Sequence, residues 1–214
     1  MTTDLIDRVL SIAPGSHLDQ LRRHREVARD NIEKAYVALF EPVNTTEVSS
    51  LERFAIARFV TGLHGPLVLG THYAKALDSA ADRSDIVAAI TAETAAGKTT
   101  GPYGTYPEGP LSSENKAGLI DAVSLENRSV LGEKLSAALE HAHLLVFRPR
   151  DASKAALDAL LAAGWSTAGI VTISQLVAFL SFQVRIVEGL SALAAHPAAN
   201  NLSDRLPEAA SATA

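Results

Sequence analysis

The stretch LERFAIARFVTGLHGPLVLGTHYAKAL, residues 51–77, decides the fold class of this 214-residue chain. Its apolar residues recur at helical spacing over 51–63, and either of the two serines just before that segment is a suitable N-cap. Gly65 and Pro66 then interrupt the pattern, and Pro66 suits the first turn of a following helix that we expect to reach about residue 81. The sequence therefore predicts two consecutive helices here.

The rest of the chain shows the same helical periodicity. Alanine occupies 37 positions and aromatic residues make up only 5% of the chain, a mix that favours closely packed helices over sheets. The other predicted helices are 16–40, 84–96, 113–126, 129–143, one capped by Asp151 that ends at Gly164, and a long last helix from Ser166 or Thr167.

We therefore predict an all-α fold built from helical hairpins. Residues 1–196 are expected to form a single domain, and 197–214 a flexible C-terminal tail. In this arrangement the hairpin of residues 51–80 packs against the last helix, from about 167 to 194.

Composition excludes several classes of protein. The absence of cysteine excludes disulfides, thiolate metal sites and a cysteine nucleophile. A net charge of -5 argues against a nucleic-acid partner. The most apolar stretch, 170–193, is interrupted by two glutamines, an arginine and a glutamate, and the N-terminus lacks the apolar core of a signal peptide. We therefore expect no membrane partner and a cytoplasmic location.

Residues 98–113 break the helical pattern. The segment GPYGTYPEGP at 101–110 holds three prolines and three glycines, which excludes a helix or a central strand. It is either an ordered surface crossover, or a lid or interface strap that carries Tyr103 and Tyr106.

No common catalytic or nucleotide-binding motif is present, which leaves the seven histidines as the main candidates for chemistry. His141 and His143 are two residues apart on a predicted helix, so their side chains diverge by about 200°. His64 and His72 are separated by the Gly65-Pro66 break and have no carboxylate near them in sequence. We therefore expect no metal site, and nothing indicates a cofactor.

Two segments of the chain resemble one known superfamily. Residues 51–77 are similar to the core of the carboxymuconolactone decarboxylase and alkylhydroperoxidase-D superfamily. The segment AGWSTAGIVTISQLVAFLSFQVRIVEGLSAL, residues 163–193, is similar to the C-terminal part of its peroxidase-related branch, and GPYGTYPEGPLS to a cysteine-free subgroup named for the carboxymuconolactone decarboxylase domain. The resemblance implies an alkylhydroperoxidase-D-like helical bundle that assembles into dimers, trimers or hexamers.

The chain departs from that superfamily at its reactive positions. The peroxidase branch has a Cys-x-x-Cys pair followed four residues later by a histidine, and a glutamate on the preceding helix. If His72 takes the place of the histidine, Gly65 and Val68 occupy the two cysteine positions. The expected glutamate position holds Arg53, with Glu52 one residue earlier, a rotation of about 100° on a helix. Because Gly65 and Val68 supply no sulfur and the chain has no cysteine elsewhere, thiol peroxidase activity is excluded.

The resemblance leaves two interpretations of the remaining residues. In the functional one, His72 is a general acid–base oriented by Glu52, Tyr73 or Arg185 binds a substrate carboxylate, and His64 is a further substrate-binding residue. In the structural one, His72 is a buried remnant, and Arg185 forms an ion pair with Glu188, three residues on.

Two functions follow from these interpretations. The first is cysteine-independent acid–base chemistry, of the decarboxylase, lyase or isomerase type, on a small organic acid. The second is a non-catalytic member of the superfamily that binds a small ligand or serves as a partner subunit. An enzyme requires a solvent-reachable cavity beside His72 with an acid in reach. In both cases we expect a homo-oligomer, formed through the last helix or through the loop Gly101 to Pro110.

Overall fold

A computed structural model describes residues 4–65 and 68–195, and these residues are helical throughout most of their length. Two 3-10 turns, Pro110–Glu114 and Pro149–Asp151, accompany the α-helices. The α-helices are α1 (Leu5–Leu10), α2 (His17–Arg23), α3 (Glu26–Phe40), α4 (Ser50–Leu63), α5 (Val68–Ala80), α6 (Ser84–Ala96), α7 (Leu125–Phe147), α8 (Lys154–Ala162) and α9 (Thr167–Ala195). No β-strand occurs in the described ranges, where Gly104 and Lys116 form one isolated bridge. The all-α prediction is confirmed.

Helix α4 lies at the centre of the molecule. It packs against α5, α6, α7 and α9, and Ala55, Ile56, Ala57, Phe59 and Val60 are completely buried. Alanines among larger side chains let neighbouring helices approach α4 closely on several sides. This central position explains why residues 51–63 are apolar around most of the helix circumference.

Helix α9 is the longest helix and closes one side of the core. Ile173, Leu176, Leu180 and Val187 are fully buried against its neighbours. By length and composition α9 is the one helix in the described residues that could also cross a membrane, a test that core helices of soluble proteins pass as well. The packing of its buried face against α4 and α7 accounts for much of this apolar character.

The N-terminal region differs from the single helix predicted over 16–40. The predicted helix is broken at Arg25, whose φ/ψ of -123°/47° is not helical, and forms α2 and α3 instead. A short helix, α1, precedes both. Arg22 and Arg29 both bind Asp4, each through a 2.9 Å contact, and both also pair with Asp7. On one straight helix these arginines would be separated by about 10 Å along the axis. The break lets both reach the same two carboxylates.

The connection before α7 also differs from the prediction of a helix over 113–126. After the 3-10 turn Pro110–Glu114 the chain is non-helical to Ser124. Ser124 caps α7 and is held by the buried Glu93, which accepts hydrogen bonds from the Ser124 hydroxyl at 2.7 Å and the Asn127 amide at 2.6 Å. Helix α7 is kinked at Gly132, whose φ/ψ of 77°/163° is not helical, so two helical segments meet inside the range where a single helix 129–143 was predicted.

The proline-rich loop packs against its own chain. The Tyr103 amide donates to the Phe147 carbonyl at 2.6 Å, its ring is 8% exposed, and Lys116 lies over the ring at 5.3 Å. The Arg150 guanidinium lies over the Tyr106 ring, 3.9 Å from the ring centroid. These contacts fit the ordered-crossover interpretation and bury Tyr103 within one chain.

Two other predictions concern helix ends. Asp151 does not cap α8, because it closes the preceding 3-10 turn, and the Ser153 hydroxyl accepts from the Ala156 amide instead. At α9 the Ser166 hydroxyl accepts from the Gly169 amide at 3.0 Å, as expected of a capping serine. The expected tail 197–214 and the first-turn position of Pro66 lie outside the described residues.

Candidate binding cavity beside His72

An open cavity of about 1000 Å³ lies between α1, α4, α5 and α6. Its wall includes His72 and four cationic residues: Arg8 from α1, Arg58 from α4, Lys75 from α5, and Lys98, which follows α6. Its wall residues within 4–65 and 68–195 include no aspartate or glutamate. The cavity therefore concentrates positive charge on a chain whose net charge is negative.

Arg58 is positioned by the close packing of α4 on α6. A Cβ atom at Gly62 would lie 2.6 Å from the Arg58 Nη1 atom, and it would also clash with the methyl group of Thr94. The absence of a side chain at Gly62 therefore lets the guanidinium lie across α4 at the cavity wall. Within the described residues no carboxylate pairs with Arg58, Lys75 or Lys98, so these cations are available to a ligand.

His72 is half-buried in the cavity wall, where its ring meets two tyrosines. The Tyr36 hydroxyl lies 3.4 Å from His72 Nε2, and the Tyr73 ring stands edge-on to the imidazole at 5.0 Å. Burial lowers the pKa of His72 below its ordinary value of 6.5, and the positive charge of Arg8 lowers this pKa further. The imidazole is therefore neutral at pH 7.

Tyr73 faces the core instead of the cavity. Its side chain is fully buried, and its hydroxyl donates to Gln183 Oε1 at 2.7 Å. Burial raises the pKa of Tyr73 well above its ordinary value, so the phenol stays protonated. Tyr73 links α5 to α9 and packs against His72, but it is not among the residues that line the cavity.

The structure does not bring Glu52 to His72. Glu52 forms a capping box at the start of α4: its carboxylate accepts from the Ser49 amide at 2.7 Å and the Ser49 hydroxyl at 2.8 Å. The same carboxylate pairs with Lys134 of α7 at 3.1 Å. Among the described residues, the side chain within hydrogen-bond distance of a His72 ring nitrogen is that of Tyr36, not Glu52.

Neither Arg185 nor His64 is among the residues that line the cavity. Arg185 lines a separate apolar groove of about 340 Å³ between α2, α3 and α9, and its guanidinium donates to the Ser181 carbonyl at 2.7 Å. The ion pair with Glu188, which belonged to the structural interpretation, is not formed among the described residues. His64 caps the end of α4, and burial, followed by the charge of Arg185, lowers the pKa of His64.

Sequence analysis missed the four cationic residues of the cavity and Tyr36. A signal for part of this set exists, because the wall residues of α6 and its extension recur at helical spacing. Thr91, Thr94, Ala95 and Lys98 share one face, and so do His72 and Lys75 on α5. The sequence does not show that these two faces and the side of α4 that carries Arg58 line the same cavity.

The described residues contain no group of three or more histidine, aspartate or glutamate side chains arranged to hold a metal ion. No family model matches the chain, and comparisons with curated proteins and with solved structures likewise give no match. The cavity and its charge are therefore the basis for a functional conclusion.

Proposed function

We propose that this protein binds a small organic acid in the cavity beside His72. The observation that carries the proposal is the wall itself, in which Arg8, Arg58, Lys75 and Lys98 surround about 1000 Å³ of space with no acidic residue among the described lining. Arg58, Lys75 and Lys98, which pair with no carboxylate among the described residues, favour an anionic ligand, and the apolar wall between them suits a carbon skeleton.

Arg58 offers the sharpest test of this binding site. A panel of mono- and dicarboxylates, including benzoate and succinate, is titrated calorimetrically into the wild-type chain and into Arg58→Gln. A lost charge-assisted hydrogen bond is worth about 1.5–3 kcal/mol, so the variant should bind roughly 10- to 100-fold more weakly. Lys154→Gln removes an equal charge from the exposed Lys154–Asp158 pair on α8 and should bind like wild type.

The outcome that contradicts the proposal is equally defined. If no carboxylate in the panel binds at millimolar concentration, or if Arg58→Gln and Lys154→Gln bind alike, the cavity is not an organic-acid site. Thermal unfolding of both variants checks that each is folded.

A second candidate is acid–base catalysis on the bound acid, favoured by the position of neutral His72 in the cavity wall. Such a reaction needs a proton acceptor or donor near neutral pH, and imidazole suits this role. The test is exchange of substrate C–H protons in D₂O, or release of CO₂, followed by NMR. Catalysis predicts turnover that His72→Gln abolishes while binding persists, and no turnover of any bound acid would leave a binding protein.

We further propose that the chain is a cysteine-free relative of the carboxymuconolactone decarboxylase and alkylhydroperoxidase-D superfamily. The helical architecture and the contact between α4 and α5, which hold residues 51–77, support this proposal. It includes helical hairpins, assembly with copies of itself and a cytoplasmic location. Nucleic acid is not a proposed partner, because the net charge is -5, and a membrane is not one, because polar and charged residues interrupt the apolar stretch 170–193. Thiol peroxidase activity has no part in it, because the sequence has no cysteine.

A further inference from the structure

The contact between the Tyr36 hydroxyl and His72 Nε2 bears on which ring nitrogen of His72 carries the proton. Tyr36 is 6% exposed, and its hydroxyl has one partner in the described structure, His72 Nε2 at 3.4 Å. If Nε2 carried the proton and donated to Tyr36, the phenol proton would be left in a buried place without an acceptor there. An unsatisfied buried donor costs about 1–3 kcal/mol. This cost favours the phenol as the donor and Nε2 as the acceptor.

The electrostatic surroundings agree with a neutral phenol and a neutral imidazole. Burial is the main cause that raises the pKa of Tyr36, with the nearby carboxylates of Glu41 and Glu33 acting in the same direction against Arg8. Burial and Arg8 lower the pKa of His72. Near pH 7 neither side chain is ionised, so the pair shares one hydrogen bond with the proton on Tyr36 and the accepting lone pair on His72.

We propose that Tyr36 fixes His72 as the tautomer protonated on Nδ1, so that the imidazole presents an N–H donor to anionic oxygen atoms in the cavity. A neutral imidazole has one donor and one acceptor nitrogen, and Tyr36 occupies the acceptor. Nδ1 has no hydrogen-bond partner among the described residues. Tyr36 is a positioning residue in this scheme and His72 a ligand-binding donor, beside Arg8 and Lys75 of the same wall.

This inference rests on the proposed function only for the identity of the ligand. The tautomer is a property of the unliganded protein. It also separates the two candidate functions, because an Nδ1–H donor stabilises a bound carboxylate, whereas an unprotonated Nδ1 would serve as a general base.

Long-range ¹H–¹⁵N correlation NMR on the ¹⁵N-labelled full chain at pH 7.5 tests the tautomer directly. The His72 signals are assigned by their loss in His72→Gln. The expected wild-type pattern is that of an Nδ1–H imidazole, and Tyr36→Phe should move it toward Nε2–H. Phenylalanine keeps the stacking of residue 36 on Phe40, whose ring centroid lies 5.2 Å away, and the fold is checked by circular dichroism. Tyr106→Phe, far from any histidine contact, is the matched control.

The same samples are titrated with succinate. Tyr36→Phe should weaken succinate binding roughly two- to tenfold, the effect of one lost hydrogen-bond constraint, and Tyr106→Phe should not. An Nε2–H pattern in wild type, or an unchanged pattern in Tyr36→Phe, overturns the inference. If Tyr36→Phe does not fold, the wild-type spectrum alone decides the tautomer. If no acid binds while the tautomer is as expected, the proposed function fails and the tautomer assignment stands.

Discussion

Three histidines with lowered pKa values, His64, His72 and His141, are expected to make the stability of the fold depend on pH. His141 on α7 is 5% exposed, and its Nε2 lies 3.2 Å from the Ser174 hydroxyl of α9. Its Nδ1 is buried without a hydrogen-bond partner among the described residues. Burial lowers the pKa of His141 below the ordinary 6.5, as it does for His64 and His72. All three are therefore neutral in the folded protein at pH 7.

The free energy of unfolding should consequently fall as the pH is lowered from 7. The unfolded chain takes up protons at these histidines near pH 6.5, whereas the folded chain binds them only at lower pH. Stability is full above the unfolded pKa and is lost as the pH falls toward the folded pKa, by up to about 1.4 kcal/mol per pH unit for each histidine. Urea denaturation at several pH values between 7.5 and 5 measures this slope.

His141→Gln should make the dependence of the free energy of unfolding on pH shallower, because one histidine fewer takes up a proton on unfolding. Ser174→Ala keeps the imidazole and should retain the wild-type slope, even if it lowers stability at every pH. An unchanged slope in His141→Gln would show that this imidazole titrates alike in both states.

Among the elements, α4 depends on its N-terminal cap. The Ser49 hydroxyl accepts from the Glu52 amide at 3.3 Å while the Glu52 carboxylate accepts from the Ser49 amide and binds Lys134. This reciprocal arrangement satisfies donors that the first turn leaves free. It fixes the start of the helix against α7.

Ser49→Ala should therefore lower the free energy of unfolding by about 1 kcal/mol. The midpoint of urea denaturation measures the change at an unchanged slope. Ser50→Ala is the matched control, since Ser50 is exposed and is helical rather than a cap, and it should change stability by only a few tenths of a kcal/mol. Equal midpoints for the two variants would mean that the capping box does not stabilise α4.

The helices whose bounds were predicted well have the residues that start and end them within or next to the helix itself. The bounds predicted for α4, α6 and the start of α9 lie within a residue or two of those observed, because caps, glycines and apolar spacing are local signals. The helices predicted over 16–40 and 113–126 failed for a non-local reason. The first is broken where two arginines meet Asp4 and Asp7, and in the second case α7 begins where Glu93, from another helix, holds Ser124.

The candidate site shows the same limit. His72 was found because histidine chemistry can be recognised in sequence. Glu52 was assigned by its nearness to an expected position, yet its bonds are those of a helix cap. Arg58 and Lys98 come from different elements and act together only because α4 and α6 pack closely at Gly62, which no local pattern reports.

At the scale of the whole molecule, large apolar side chains are exposed on the outer face of α9. Val171 is 51% exposed, Phe182 45% and Leu193 39%. These residues are eleven positions apart, which is close to three helical turns, so they lie on one side of α9. Ala178 and Gly189 are exposed between them and would let another helix approach closely. Gln175 and Arg185 are also exposed on this side of α9, so the face is mixed. Its large apolar side chains suit an interface, and we propose a second copy of the chain as its occupant.

Phe182→Asp should therefore disrupt assembly of the full chain. A buried aromatic anchor at an interface is typically worth 2 kcal/mol or more, so the dissociation constant of the oligomer should rise roughly 30-fold or more. Sedimentation velocity at micromolar concentration should show wild type at twice 22.5 kDa or above and Phe182→Asp shifted toward the monomer. Val27→Asp introduces the same charge at a 76% exposed position on α3 and should sediment as wild type.

A wild-type monomer over the whole accessible range would contradict the proposal, and an equal loss of assembly in both variants would place the interface elsewhere. Because Phe182 is not among the residues that line the cavity, Phe182→Asp should leave succinate binding unchanged even where it dissociates the oligomer.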